Sequence, residues 1–201
     1  MFLIVSIFAY SAEITISVVD QKSNAVTDGY VELYALSGQE KSTPGSGEVD
    51  QVDKEFTPLY SAVAVGSTVL FPNSDNIQHQ IYSFSKSKKF DLPLFAKNDQ
   101  KKVTFDKAGI IHMGCNIHDW MLSFLYVYES KFFGQTDTNG SISFSSVPDG
   151  EYELRIWSPR LKNNRSIVKQ TITLPATTSV TQTIKVRKKI RRKPRIENEE
   201  Y

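Results

Sequence analysis

Cysteine is nearly absent from this chain. One thiol, Cys115, stands among 201 residues, so no intramolecular disulfide can form. Histidine is almost as scarce, with three residues, and no site needing more than three imidazoles fits within the chain. No apolar run reaches the ~18 residues that a membrane-crossing helix requires. The phosphate loop, a Gly-x-Gly-x-x-Gly turn and a Gly-x-Ser-x-Gly elbow are all missing. Acidic residues are plentiful, yet none stands out as a general acid/base pair, and helix signals are weak throughout. The net charge of +2 gives no general field for nucleic acid. That charge is uneven, because residues 185–201 carry eight Lys/Arg against three Glu. This basic tail reads as a solvated terminus or as a segment that meets an acidic surface, and no aromatic residue interleaves it before Tyr201.

An apolar fraction of 40% with 11% aromatics is enough for a real core, which argues against bulk disorder. Runs such as 14–19 and 170–174 are β-branched and alternate with period two, the pattern of strands. Further strands are expected at 30–34, 62–71, 79–84, 102–105, 109–114, 124–128, 141–144, 150–157, 167–174 and 181–186. Turn signals fall between them, among them Asp137-Thr-Asn-Gly140 and Pro148-Asp-Gly150. The fold class expected is all-β, two sandwiches or barrels. Residues 37–50 lack any apolar period and read as a linker. The first twelve residues are apolar and end in small side chains, which reads as a secretory leader without its basic start; export, as to the periplasm, is expected.

All three histidines and the cysteine lie between His79 and His118. The dense part, Gly114-Cys-Asn-Ile-His-Asp-Trp-Met121, spaces a thiolate, an imidazole and a thioether as Cys-x-x-His-x-x-Met between two expected strand ends. Thiolate with imidazole suits zinc or copper, whereas a thioether favours copper, and structural zinc wants four Cys/His ligands. A second imidazole from upstream completes a two-His, one-Cys, weak-Met copper set of the electron-transfer type. His79, opening a strand after a polar turn, is the better candidate for that imidazole. His112 competes, but strand alternation points it away from Cys115. Trp120 reads either as packing or as part of an apolar docking patch around His118.

The block from about Phe56 to Val127 resembles the cupredoxins, with Phe71-Pro-Asn-Ser-Asp75, His79, Asp106-Lys-Ala-Gly109 and Gly114-Cys-Asn-Ile-His-Asp-Trp-Met121 in the family's order. The ligand loop has the short length seen in amicyanin, and its string is similar to that of proteins labelled methylamine-utilization proteins. The resemblance implies a Greek-key β-sandwich holding one type 1 copper ion on His79, Cys115, His118 and Met121. It implies an electron carrier with a redox partner protein, and no enzyme. One departure is Gln80, where cupredoxins commonly place the Asn that ties the two ligand loops together. Ile16-Ser-Val-Val-Asp20, Tyr30-Val-Glu-Leu-Tyr34 and Val147-Pro-Asp-Gly-Glu-Tyr-Glu-Leu154 resemble carboxypeptidase-regulatory-like, transthyretin-like sandwiches.

The organisation expected is therefore a leader at 1–12, opening strands of an outer sandwich at 13–40, a cupredoxin at 51–129, the rest of the outer sandwich at 130–186, and the tail at 187–201. Two other readings remain open: a copper-delivery or sensing module, favoured by fast metal exchange without reversible redox, and a non-catalytic β-sandwich adaptor, favoured by a metal-free chain that is equally stable.

Overall fold

The computed structural model describes residues 11–38 and 40–188. Most of the expected leader and most of the basic tail lie outside the described residues. The described chain is all-β, with no helix. Its strands, in chain order, are β1 (Ser11–Asp20), β2 (Tyr30–Ala35), β3 (Ser46–Glu48), β4 (Asp50–Val52), β5 (Glu55–Thr57), β6 (Tyr60–Ala64), β7 (Ser67–Pro72), β8 (His79–Ser85) and β9 (Lys88–Phe95). There follow β10 (Gln100–Phe105), β11 (Gly109–Gly114), β12 (Leu122–Tyr128), β13 (Phe133–Gln135), β14 (Ser141–Pro148), β15 (Gly150–Trp157), β16 (Val168–Leu174) and β17 (Ser179–Ile184).

These strands form two compact units. One combines the chain up to Pro44 with Tyr128–Val186; the other is Gly45–Val127, with Arg187 and Lys188 among the described residues. The second unit is thus inserted into the first between β2 and β13.

The outer unit has two sheets, in the orders β14-β1-β17 and β13-β2-β15-β16. In β1 the sequence alternation does what its period demands: Ile14, Ile16 and Val18 are fully buried while their neighbours face outward. The strand begins two residues inside the segment read as a leader, because Ser11 and Ala12 pair with Pro148 and Val147 of β14. The two sheets meet where Gly134 of β13 faces Ile142 of β14; a Cβ on Gly134 would stand 2.5 Å from the Ile142 Cδ1.

The stem of the insertion lies in this same unit. Ser42 N–H donates to the Glu129 carbonyl at 2.7 Å, and Lys41 bridges to Ser130. Glu32, on β2 and 1% exposed, accepts the backbone N–H groups of Glu129 and Ser130 at 2.7 and 2.8 Å. Arg155 of β15 balances the charge, reaching Glu129 at 3.0 Å, Glu153 at 2.7 Å and Glu32 at 3.5 Å. Its guanidinium also stacks 3.7 Å from the Tyr34 ring centroid.

The inserted unit pairs a three-stranded sheet, β10-β7-β3, with a five-stranded one, β6-β12-β11-β8-β9, plus the β4-β5 hairpin. Val69 and Phe71 of β7, Ile81 of β8, Phe105 of β10 and Ile111 and Met113 of β11 fill the interior. Phe90 bridges the sheets, 6.2 Å from Phe71 and 6.1 Å from Phe105 between ring centroids.

Three differences from the sequence reading have local causes. The expected linker 37–50 contains β3, which pairs in parallel with β7. No apolar period marks it, because Gly47 packs so closely that a Cβ there would stand 2.9 Å from Val63. The compact unit that contains β3 runs from Gly45 to Val127. The single expected strand 62–71 is two strands, broken at Gly66 with φ 87°. β9, not among the expected strands, carries Pro93, which an edge strand tolerates.

Replacing Glu32 by Ala is expected to destabilise the chain by about 3 kcal/mol, since it leaves two backbone donors and Arg155 without their buried partner. Urea unfolding followed by fluorescence measures it, and a loss within about 0.5 kcal/mol would show that the stem does not depend on this carboxylate.

Candidate metal centre

The site forms where β8 begins and β11 ends. β11 puts Ile111 and Met113 inward, and the alternation continues to Cys115, 3% exposed in the core. The same alternation turns His112 to the opposite face, where its ring packs edge-on against Phe124 at 4.8 Å. His112 is therefore not part of the cluster.

His79 is fixed from the other side. The turn after β7 is organised by Asn73, 1% exposed, whose Nδ2 donates to the Ile77 and Phe95 carbonyls, both at 2.9 Å. Its Oδ1 accepts the Asp75 N–H at 3.0 Å. β8 then opens with His79 fully buried, at a register shift against β9 between His79 and Ile81. Such bulges re-aim side chains beside functional sites.

The structure brings His79, Cys115 and His118 together. One ligating atom from each lies within 4.8 Å of the others. The Cys115 Sγ stands 3.9 Å from His79 Nδ1 and 4.0 Å from His118 Nδ1. Bonds of about 2.0–2.3 Å from one metal at trigonal angles put donor atoms roughly 3.7 Å apart. The two imidazoles and the thiolate therefore suit a first-row ion, and this His₂Cys set is the one copper takes in electron-transfer sites. Met121 closes the loop: its N–H donates to the His118 carbonyl at 2.9 Å, and its side chain is buried in the same core cluster as Cys115.

The electrostatics favour an anionic sulfur. Burial alone raises the Cys115 thiol, but His79 and the backbone N–H groups of Gln80 and Ile117 outweigh it, and the net shift is downward. Burial pushes His79 down, while Cys115 and Asp75 more than reverse that and raise it. His118 is lowered by burial and by the charge of His79. Burial raises the Asp75 carboxyl, and the Lys54 N–H with His79 brings it below its usual value.

Asn73 and Asp75 are supporting residues to which the sequence alone assigned no role. Asp75 accepts the His79 Nε2–H at 2.8 Å. The polar string before His79 is the only sequence signal that could have found it. Gln80 performs the tie expected of an Asn: its Oε1 accepts from Asn116 Nδ2 at 2.7 Å, while its Nε2 donates to Asp91 at 2.5 Å. The longer side chain thus joins the ligand loop to β9 as well as to β8. Trp120 lies 5.2 Å from the His118 ring and is 46% exposed; Ile117, beside it in the loop, is 51% exposed. Its indole N–H donates to the Lys54 carbonyl at 3.0 Å.

Asn73→Ala is expected to cost about 3 kcal/mol, because one buried and one part-buried carbonyl lose their donor and each such loss costs about 1–3 kcal/mol. Equilibrium unfolding tests this, and a cost under about 1 kcal/mol would mean that water replaces the amide.

No protein-family model and no curated protein matches the chain. Solved structures similar to it include a Cu-containing nitrite reductase from Thermus scotoductus, at 24% identity over 49% of this chain with a TM-score of 0.40. The chain spans 25% of that reductase's length. A purple cupredoxin from Nitrosopumilus maritimus is similar at 22% identity over 41% of this chain and 99% of its own, with a TM-score of 0.37. A Cu(I) amicyanin variant shares 18% identity over 49% of this chain and 98% of its own, with a TM-score of 0.39.

Proposed function

We propose that this chain is an exported electron carrier that holds one type 1 copper ion on His79, Cys115 and His118, with Met121 as the weak fourth ligand. The observation that supports it most directly is the convergence of two imidazole nitrogens and the lone thiol at the end of a sandwich, with donor separations of 3.9 and 4.0 Å. A copper ion bound there supplies one-electron oxidation and reduction.

The chain's own residues provide the rest. Cys115, with two backbone N–H groups directed at its sulfur, offers a stabilised thiolate. His79 is buried and fixed by its Asp75 bond, so little rearrangement accompanies a change of charge. His118 is half-buried, beside exposed Ile117 and Trp120, and serves as the electron port facing an apolar docking patch for a redox partner protein. Four protein donors leave no open position for a substrate, which supports a carrier over an enzyme. The apolar segment 1–12 supports export, and no helix among the described residues is long and apolar enough to cross a membrane. The outer unit is read as a transthyretin-like, carboxypeptidase-regulatory-like scaffold, and the basic tail at 187–201 as a segment that meets an acidic surface.

Adding Cu(II) to the purified full chain is expected to give an intense thiolate-to-copper band at one ion per chain, with the matching electron paramagnetic resonance signal. Cys115→Ala abolishes both. A colourless complex, or copper uptake indifferent to Cys115, rules the carrier out and leaves a β-sandwich adaptor.

A further inference from the structure

One carboxylate joins the strand that carries His79 to the turn that holds the loop of His118. Asp75 Oδ2 accepts the His79 Nε2–H at 2.8 Å and the Lys54 N–H at 2.6 Å, while Oδ1 accepts the Asp53 N–H at 3.1 Å. Asp53 and Lys54 are the two central residues of the β4-β5 turn, and both have positive φ, 54° and 58°. Residues with side chains take that conformation at a cost of ~1–2 kcal/mol each, so something outside the eight-residue hairpin 50–57 sustains it. The other side of the same turn holds the second segment, since the Lys54 carbonyl accepts the Trp120 indole N–H at 3.0 Å and Trp120 lies 5.2 Å from His118. A two-residue turn thus ties the strand carrying His79 to the loop carrying His118, with Asp75 at the joint.

Resting on the copper reading above, we infer that Asp75 is a positioning residue that turns His79 Nδ1 toward the cluster and whose charge favours the oxidised ion. The carboxylate fixes the tautomer: with the Nε2 proton held by Asp75, Nδ1 is the free donor nitrogen, and it is the atom facing Cys115. A carboxylate behind an imidazole makes that imidazole a stronger donor. The Asp75 side chain is 15% exposed, so its charge is only partly screened and stabilises a doubly charged ion over a singly charged one. A neutral acceptor at the same place keeps the tautomer and loses the charge.

Asp75→Asn separates the two effects. The full chain and this variant are loaded with copper, and the midpoint potential is read from the thiolate-to-copper band as the sample is reduced stepwise. The variant is expected to keep the band while its Cu(II)-over-Cu(I) affinity ratio falls about tenfold, an upward shift of about 59 mV for one electron. A retained band with an unmoved potential overturns the role of Asp75 and leaves the copper reading intact. A wild-type chain that shows no such band overturns the copper reading, and this inference with it. If a thermal melt shows that the variant does not fold, the metal-free wild type decides by nuclear magnetic resonance: a downfield, slowly exchanging His79 Nε2–H signal supports the bond to Asp75, and its absence overturns the inference.

Discussion

Cys115 sets a sulfur at the end of β11 in the core of a sandwich, where a negative charge is costly unless it is paired and hydrogen-bonded. The surrounding structure answers that demand from several directions. His79 stands 3.9 Å away with its own far nitrogen on Asp75. The backbone of Gln80 donates to the sulfur from β8 and that of Ile117 from the loop. The bulge that opens β8 allows both, because it sets a buried imidazole and an N–H of the following residue toward the same point. Each of these supports offsets part of the upward push that burial gives the thiol.

Much of this was legible in the sequence, and for physical reasons. Alternation in 14–19 and 109–114 is enforced by burial of one face, so period two survives in the residues themselves. The same rule explains why His112 could be set aside and why Cys115 points inward. The spacing of Cys115, His118 and Met121 is local, and a seven-residue loop between adjacent strand ends offers few ways to arrange three side chains.

What was not legible depends on contacts between distant segments. β3 is held by a parallel neighbour and a glycine pressed on Val63, neither of which leaves an apolar period. β9 is an edge strand whose outer backbone edge has no neighbour, so Pro93 fits within it although proline reads as a break in the sequence. Asp75 is one acidic residue among many until the turn at Asp53 and Lys54 closes on it. Gln80 looked like a departure from the family pattern, whereas its extra methylene lets it span from Asn116 to Asp91.

The stem between the units has a consequence for how such a chain can change over time. Ser42 and Glu129 are joined by one hydrogen bond, and Glu32 ties down the returning strand. From the standpoint of the outer sandwich, everything between those two residues is a short hairpin loop whose ends are already together. Closing a longer loop adds only about 0.6 kcal/mol per doubling of its length, so the host is nearly indifferent to how much chain the loop contains. By that measure the length of the insertion weighs little on the pairing of the host sheets.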